Sequence, residues 1–288
     1  MKFLCLGSGS CGNCYYLESG GTALLIDLGI GIRSFKKHAK DYGLRLPDIK
    51  AILVTHDHTD HVKAVGPLSI DQHLPVYASE GVHVGIQRNR FMTKKIPEHL
   101  KRVTHLDTPF EVGPFRITPF QVVHDSNDNN GYFIEVTKPE PQEDLFDAAA
   151  ALGTSDAEAG APLTFCLITD CGEFTDNLVP YIQRARYLVI ESNYDSGMLA
   201  SGPYPLYLKK RIMGGRGHLD NAICADRLRQ FLTPATRQVW LCHLSEENNH
   251  PEIARATVQK AIDALEFEPK PSLEVLRRRV PSGFVTLK

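Results

Sequence analysis

The sequence predicts an α+β protein that folds as one domain over residues 1–288. Three observations point there. Short apolar runs bounded by turn residues alternate with stretches of helical spacing in both halves of the chain. No linker divides the halves and no repeat of fixed period is present, so the elements share one body. Several apolar runs end on a histidine or an aspartate, which puts chemistry where strands meet loops.

Residues 3–6 read as the first strand. Gly7-Ser8-Gly9-Ser10-Cys11-Gly12 follows and formally matches a dinucleotide fingerprint, which needs a helix next. Residues 14–18 and 22–27 instead read as two strands around Gly20-Gly21, so that reading is rejected. The glycine loop is placed beside the site, where its N–H groups could meet a phosphate; a tight strand connection is the plain alternative. A helix is expected over 32–42, a buried strand over 51–54, and a helix over 61–72 with Val62, Val65 and Leu68 at helical spacing. A short strand covers 75–78 and a helix 80–90, with strands near 102–106, 114–123 and 131–137.

Residues 138–163 are acidic and rich in Pro and Ala, and read as a flexible surface insertion with a short helix near 144–152. A strand over 164–168 then ends at Thr169-Asp170. A helix over 175–184 and a strand over 187–191 lead into a loop through Gly202-Pro203-Tyr204-Pro205. Gly217-His218-Leu219-Asp220-Asn221 precedes a helix over 221–232, a strand over 239–242 and a helix over 252–265. Strands over 272–277, running into Arg277-Arg278-Arg279, and 283–287 finish the chain.

Composition narrows the function classes. Hydrophobic residues are 42% and charged residues 23%, an ordinary globular balance. No apolar run approaches the roughly 18 residues of a membrane span. The first residues reach glycines too soon for a signal peptide, so a cytoplasmic protein with no membrane partner is expected. Seven scattered cysteines are not a disulfide framework, and Cys11-x-x-Cys14 lacks the second pair that structural zinc needs. A net charge of −2 argues against coating nucleic acid through bulk charge. It leaves room for a local basic groove holding a strand end. Lys209, Lys210, Arg211 and Arg216 are candidates for that groove, with a merely solvated face the alternative.

The main chemical signal is Thr55-His56-Asp57-His58-Thr59-Asp60-His61. His56 and His58, two apart at a strand end, point the same way and can close on one metal. Asp60 and His61 open the next helix and can reach a second ion. Imidazole and carboxylate donors suit Zn²⁺ first, then Mn²⁺ or Fe²⁺. Distant strand ends should complete the site, and His124, Asp170 and His243 each follow an apolar run. Asp57 is expected to point away. His38, His73, His83, His99, His105 and His250 lack such a context.

His218 sits between a glycine and a helix start, where a histidine has no core to fill. It could protonate a leaving group or bind phosphate; a surface turn cap is the alternative. Asp60 and His218 are therefore assigned to the chemical step. Ser8, Ser10, Asn193, Ser245 and Asn248 are assigned to substrate, with Ser245, Asn248 and Asn249 also able to orient His243 or to form only a polar loop.

In this order, and over essentially the whole length, these residues resemble the metallo-β-lactamase superfamily. The resemblance implies an αββα sandwich of two mixed β-sheets flanked by helices. It implies His56, His58 and His124 on one metal, Asp60, His61 and His243 on the other, and Asp170 bridging. The segments 6–13, 191–195, 217–221 and 243–249 are further similar to the YycJ/WalJ group of single-domain nucleases, related to tRNase Z and RNase J. Asp220 departs from that group's pattern, which has serine there. Two metals would lower the pKa of a bridging water, and the resulting hydroxide would attack a phosphodiester in line.

The expected function is a dinuclear metal-dependent phosphodiesterase, an exonuclease on single-stranded or broken DNA, with RNA second. The alternatives are a thioesterase or lactonase of the same fold and a non-catalytic metal-binding regulatory or redox module. Length leaves no room for a flavodoxin-like partner domain or for the inserted domain of a long RNase J-type enzyme.

Overall fold

Strands whose residues are apolar without a break must bury both faces. The computed structural model, which describes residues 1–136 and 162–288, arranges them in two sheets of seven strands each. The first sheet runs β1 (Lys2–Gly7), β2 (Cys14–Ser19), β3 (Thr22–Ile26), β4 (Ile49–Leu53), β5 (Val76–Ala78) and β6 (Lys101–Val103) in chain order. The second runs β7 (Phe110–Val112), β8 (Phe115–Gln121), β9 (Asn130–Val136), β10 (Leu163–Ile168), β11 (Tyr187–Glu191), β12 (Gln238–Cys242) and β13 (Ser272–Val275). The last strand, β14 (Val285–Thr286), returns to the first sheet beside β1. Each sheet begins with antiparallel pairs and changes to parallel ones, at β3–β4 and at β10–β11.

Side-chain alternation sorts the strands into layers. Phe3, Cys5, Ala51, Leu53, Phe165, Leu167, Val189 and Trp240 belong to one cluster between the sheets. Their neighbours Leu4, Leu6, Ile52 and Val54 face Phe35, Leu68 and Val82 from the helices Ile32–Asp41, Val65–Gln72 and Glu80–Arg88. On the far side, Cys166, Ile168, Leu188, Ile190 and Leu241 face Leu228 and Val258 from the helices Asn221–Phe231 and Pro251–Asp263. The result is helix, sheet, sheet, helix. Phe3 joins the sheets directly, with its ring 5.2 Å from Phe165 and 4.8 Å from Trp240.

Several boundaries differ from the sequence reading. The helix expected over 61–72 is two helices, Thr59–Val62 and Val65–Gln72, separated at Lys63 and Ala64. The loop expected through 202–205 is flanked by helices Ser196–Ser201 and Leu206–Met213, and the second buries no residue. Strand β7 is three residues long and was missed for that reason. Arg277, Arg278 and Arg279 lie beyond β13, which stops at Val275. Arg278 instead ties loops together, donating from Nη1 to Ser245 O at 2.7 Å and crowding Gly9. Of the segment 138–163 only Pro162 and Leu163 are described, and Leu163 already belongs to β10; the short helix expected near 144–152 lies outside the described residues.

Candidate metal centre

The chemistry-bearing strand ends open on one edge of the sandwich. Asp27 follows β3, the loop 55–61 follows β4, and His124 lies beyond β8. Asp170 follows β10, Glu191 closes β11 and His243 follows β12. His58 keeps extended backbone (φ −66°, ψ 147°) just before the helix Thr59–Val62. His56 and His58 therefore leave an extended segment, while Asp60 and His61 leave a first helical turn.

Four sets of ligand-capable atoms overlap. His56, His58 and His124 form one, Asp60, His61 and His243 a second, Asp170 joins His56 and His61 in a third, and Asp170 and His243 join Glu191 and His218 in a fourth. His124 Nε2 is 3.3 Å from His58 Nδ1. Asp60 Oδ2 is 3.4 Å from His243 Nε2 and 3.6 Å from His61 Nε2. Asp170 reaches both groups, with Oδ2 3.2 Å from His61 Nε2 and Oδ1 3.7 Å from His124 Nε2. Nitrogen and oxygen ligands about 2.0–2.1 Å from a tetrahedral zinc stand roughly 3.3 Å apart, so these spacings suit ions. An independent sign is His56 Nε2, which is buried and has no hydrogen-bond partner. A polar atom in that state is costly unless something binds it. The donor set therefore fits divalent ions.

The candidate ligand histidines are aimed from behind. His61 Nδ1 donates to Asp27 Oδ2 at 2.7 Å, leaving Nε2 for a metal. Thr55 Oγ1 donates to the same Asp27 oxygen at 2.8 Å and accepts from His56 Nδ1 at 3.0 Å. His124 Nδ1 donates to Gly217 O at 2.8 Å, and His243 Nδ1 donates to Glu191 Oε1 at 3.0 Å. Asn13 Nδ2 lies 2.8 Å from His61 Nε2, so an ion there would take the lone pair this amide now uses. Asp27, Asp170 and His243 have φ of 58°, 50° and 53°, left-handed backbone that side chains rarely adopt.

Charge in the cluster follows from the same packing. Burial pushes the Asp170 carboxyl up, but His243, His61 and His56 outweigh it and hold it well below the carboxylate range. Burial alone would lower His61; the carboxylates of Asp170, Asp27 and Asp60 reverse that and raise it to about 10. For His56, burial and the neighbouring His61 outweigh the pull of Asp170 and keep it well below its usual value.

His218 overlooks the cluster. Its ring is 5.2 Å from that of His124 and 5.3 Å from that of His243, and its side chain is 23% exposed. His218 Nδ1 donates to Glu191 Oε1 at 2.9 Å, which leaves Nε2 free. Burial opposes its protonation, but Glu191 prevails and the net shift is upward. Glu191 is fully buried and also accepts from the N–H groups of Cys171 (2.8 Å) and Leu219 (3.0 Å). Neither Asp27 nor Glu191 was singled out in the sequence, because an acid closing a strand is usually a turn residue or helix cap.

The residues assigned to substrate divide. Ser8 is a correction: it is fully buried, and its Oγ accepts from His243 N at 2.9 Å and meets Tyr15 Oη at 3.1 Å. It positions His243 rather than meeting substrate. Asn193 is likewise buried and donates to His243 O at 2.6 Å, and Asn248 is buried beside Ser245 with Nδ2 3.4 Å from its Oγ. Asn249 holds the backbone of Ser192 and Asn193. Ser10 is exposed and Ser245 partly so.

The glycine loop does pack beside the ligands, since Asn13 N donates to Asp60 O at 2.7 Å, but the N–H groups of Gly9 and Gly12 are bonded within the loop. A Cβ on Gly29 would stand 1.5 Å from Asp60 O, so only glycine lets the segment after β3 approach there. Asp57 turns away, accepting from Asn127 Nδ2 at 2.7 Å. Asp220 does the work expected of a serine, capping the helix Asn221–Phe231 through Ala222 N at 2.7 Å.

A family model described as the beta-lactamase superfamily domain matches residues 22–244, which span the candidate ligands from His56 to His243. The chain belongs to the beta-lactamase superfamily. This superfamily member is a metal-dependent hydrolase. It is 29% identical over 275 residues to a Bacillus anthracis protein named exodeoxyribonuclease YycJ, covering 96% of this chain and 94% of that one. It is 30% identical to exodeoxyribonuclease WalJ of Streptococcus pneumoniae, covering 89% and 86% of the two chains. The solved metallo-beta-lactamase fold protein YhfI of Bacillus subtilis superposes with a TM-score of 0.66 at 16% identity, over 97% of this superfamily member and 98% of YhfI. Among the described residues no helix is long and apolar enough to cross a membrane.

Proposed function

We propose that this hydrolase is a dinuclear phosphodiesterase acting as an exonuclease on single-stranded or broken DNA, with RNA a weaker substrate. The observation that carries the reading is the His218–Glu191 pair, an imidazole held over the ligand cluster by a buried carboxylate. Relatives of similar length carry exodeoxyribonuclease names and support the choice of DNA. His56, His58 and His124 would hold one ion, Asp60, His61 and His243 the other, and Asp170 would touch both. When bound, two divalent ions activate water and offset charge on the phosphate.

The chain's own residues supply the rest. Asp27, Thr55 and Glu191 hold the histidine rings from their Nδ1 side, which orients Nε2 of His61, His56 and His243 for the ions. His218, whose pKa Glu191 shifts upward, would give a proton to the departing alkoxide. A leaving group of that kind needs one; a thiolate does not. The test is hydrolysis of 5′-labelled single-stranded DNA, RNA and a thioester panel by purified protein with Zn²⁺ or Mn²⁺. Release of nucleotides from DNA supports the proposal, and turnover of thioesters alone sinks it.

A further inference from the structure

Two aromatic side chains stand in solvent on segments fastened to the candidate site. Phe91 is 78% exposed and Tyr207 is 74% exposed. Phe91 N donates to Asn89 Oδ1 at 3.0 Å, while Asn89 Nδ2 donates to Asp57 O at 3.0 Å, between the ligands His56 and His58. Tyr207 lies on the helix Leu206–Met213, whose Arg211 Nε donates to Asp125 Oδ2 at 2.6 Å. Asp125 Oδ1 is in turn 3.3 Å from His124 Nε2. The same helix accepts from His218 N through Ile212 O at 3.0 Å. Each ring is thus one side-chain link from a ligand loop.

Both segments share one charge. Residues 88–95 and 206–216 hold four basic residues each and no acidic one, in a chain whose net charge is −2. Such clustering fits a polyanion and not an acid-poor or neutral surface. Exposed rings among cations are the pattern that holds unpaired nucleic acid, where the rings stack on bases and the cations follow the backbone. A duplex keeps its bases stacked inside and offers no such face.

We infer that Phe91 and Tyr207 are stacking platforms for the bases of single-stranded DNA on its way to the metal centre, an inference that rests on the nuclease reading above. The probe is a labelled single-stranded phosphorothioate oligonucleotide, which resists hydrolysis, and a matching strand with abasic sites; binding is read by fluorescence anisotropy on the metal-loaded protein. Phe91→Ala and Tyr207→Ala should each weaken binding roughly 5- to 150-fold, the range that base–aromatic stacking spans. Tyr207→Trp should restore it. Phe284→Ala, which removes a partly exposed ring packed on Tyr16 and Tyr42, should leave it unchanged.

The abasic strand should bind the wild type less tightly than the full strand, and the Ala variants should lose that preference. Equal binding of both strands by the wild type, or unchanged affinity in both Ala variants, would overturn the stacking role while leaving the nuclease reading intact. A wild-type protein that neither binds nor cuts any oligonucleotide, yet hydrolyses a nitrophenyl phosphodiester, would remove the nuclease reading itself and the stacking role with it.

Discussion

His218 and Glu191 separate proton delivery from general metal hydrolysis. His218→Ala should retain both ions yet lose roughly 10²–10⁴ in turnover on DNA, the usual range for a general acid. The loss should be much smaller on a nitrophenyl phosphodiester, whose leaving group needs no proton. Equal losses on both would make His218 a phosphate ligand. A second residue-level consequence concerns metal uptake. Before an ion binds, the carboxylates around His61 outweigh its burial and put its pKa near 10, and those around His243 push it upward as well. An ion must displace those protons, so affinity should rise with pH and fall as pH drops. Calorimetric titration in buffers of different ionisation enthalpy should show proton release on binding; none would contradict the arrangement.

Much of this residue chemistry was legible beforehand. His56, His58, Asp60, His61, His124, Asp170 and His243 all reach one cluster. Asp27 and Glu191 were not legible as partners, because their importance lies in facing His61 and His243 across the fold. Ser8 was misread for the complementary reason. A serine in a glycine loop looks available, and only tertiary packing closes it off against His243.

At the scale of elements, the helix Asn221–Phe231 starts on Asp220, whose Oδ1 accepts from Ala222 N at 2.7 Å and Ile223 N at 3.2 Å. Asp220→Ala should cost about 0.5–2 kcal/mol in a denaturant titration, while Asp220→Ser should cost far less, since either oxygen can cap. Strands β9 and β10 give another test. Val136 pairs with Leu163 across the antiparallel ladder, so their ends are already side by side. Replacing 138–161 with a short Gly-Ser turn should keep turnover and melting temperature close to those of the full chain; a large fall in either would show that the segment does more than connect. Element types with strong periodicity were readable in advance. The helices at 196–201 and 206–213 were not, because the first buries only Leu199 and the second buries no residue.

For the whole molecule, the decisive fact is that the proposed ligands come from both sheets. His56, His58, Asp60 and His61 follow the first; His124, Asp170 and His243 belong to the second. Bound ions would therefore cross-link the sandwich as well as serve the reaction. Chelation should lower the melting temperature, with a ligand at a thousand times its Kd contributing about 4 kcal/mol. Asp170→Ala should reduce occupancy at both positions together in elemental analysis. Retention of two full equivalents would refute the bridging role.

The dependence of His243 on Ser8 reaches from one end of the chain almost to the other. A polypeptide leaving the ribosome presents the 55–61 loop early, while His243 and the strand before it arrive after most of the sequence. The first sheet alone holds four of the seven proposed ligands and lacks the bridging aspartate. Nascent and truncated chains without β12 would thus hold an incomplete set of the proposed ligands. On the proposed ligand set, the hydrolytic edge comes together only after the two halves have met.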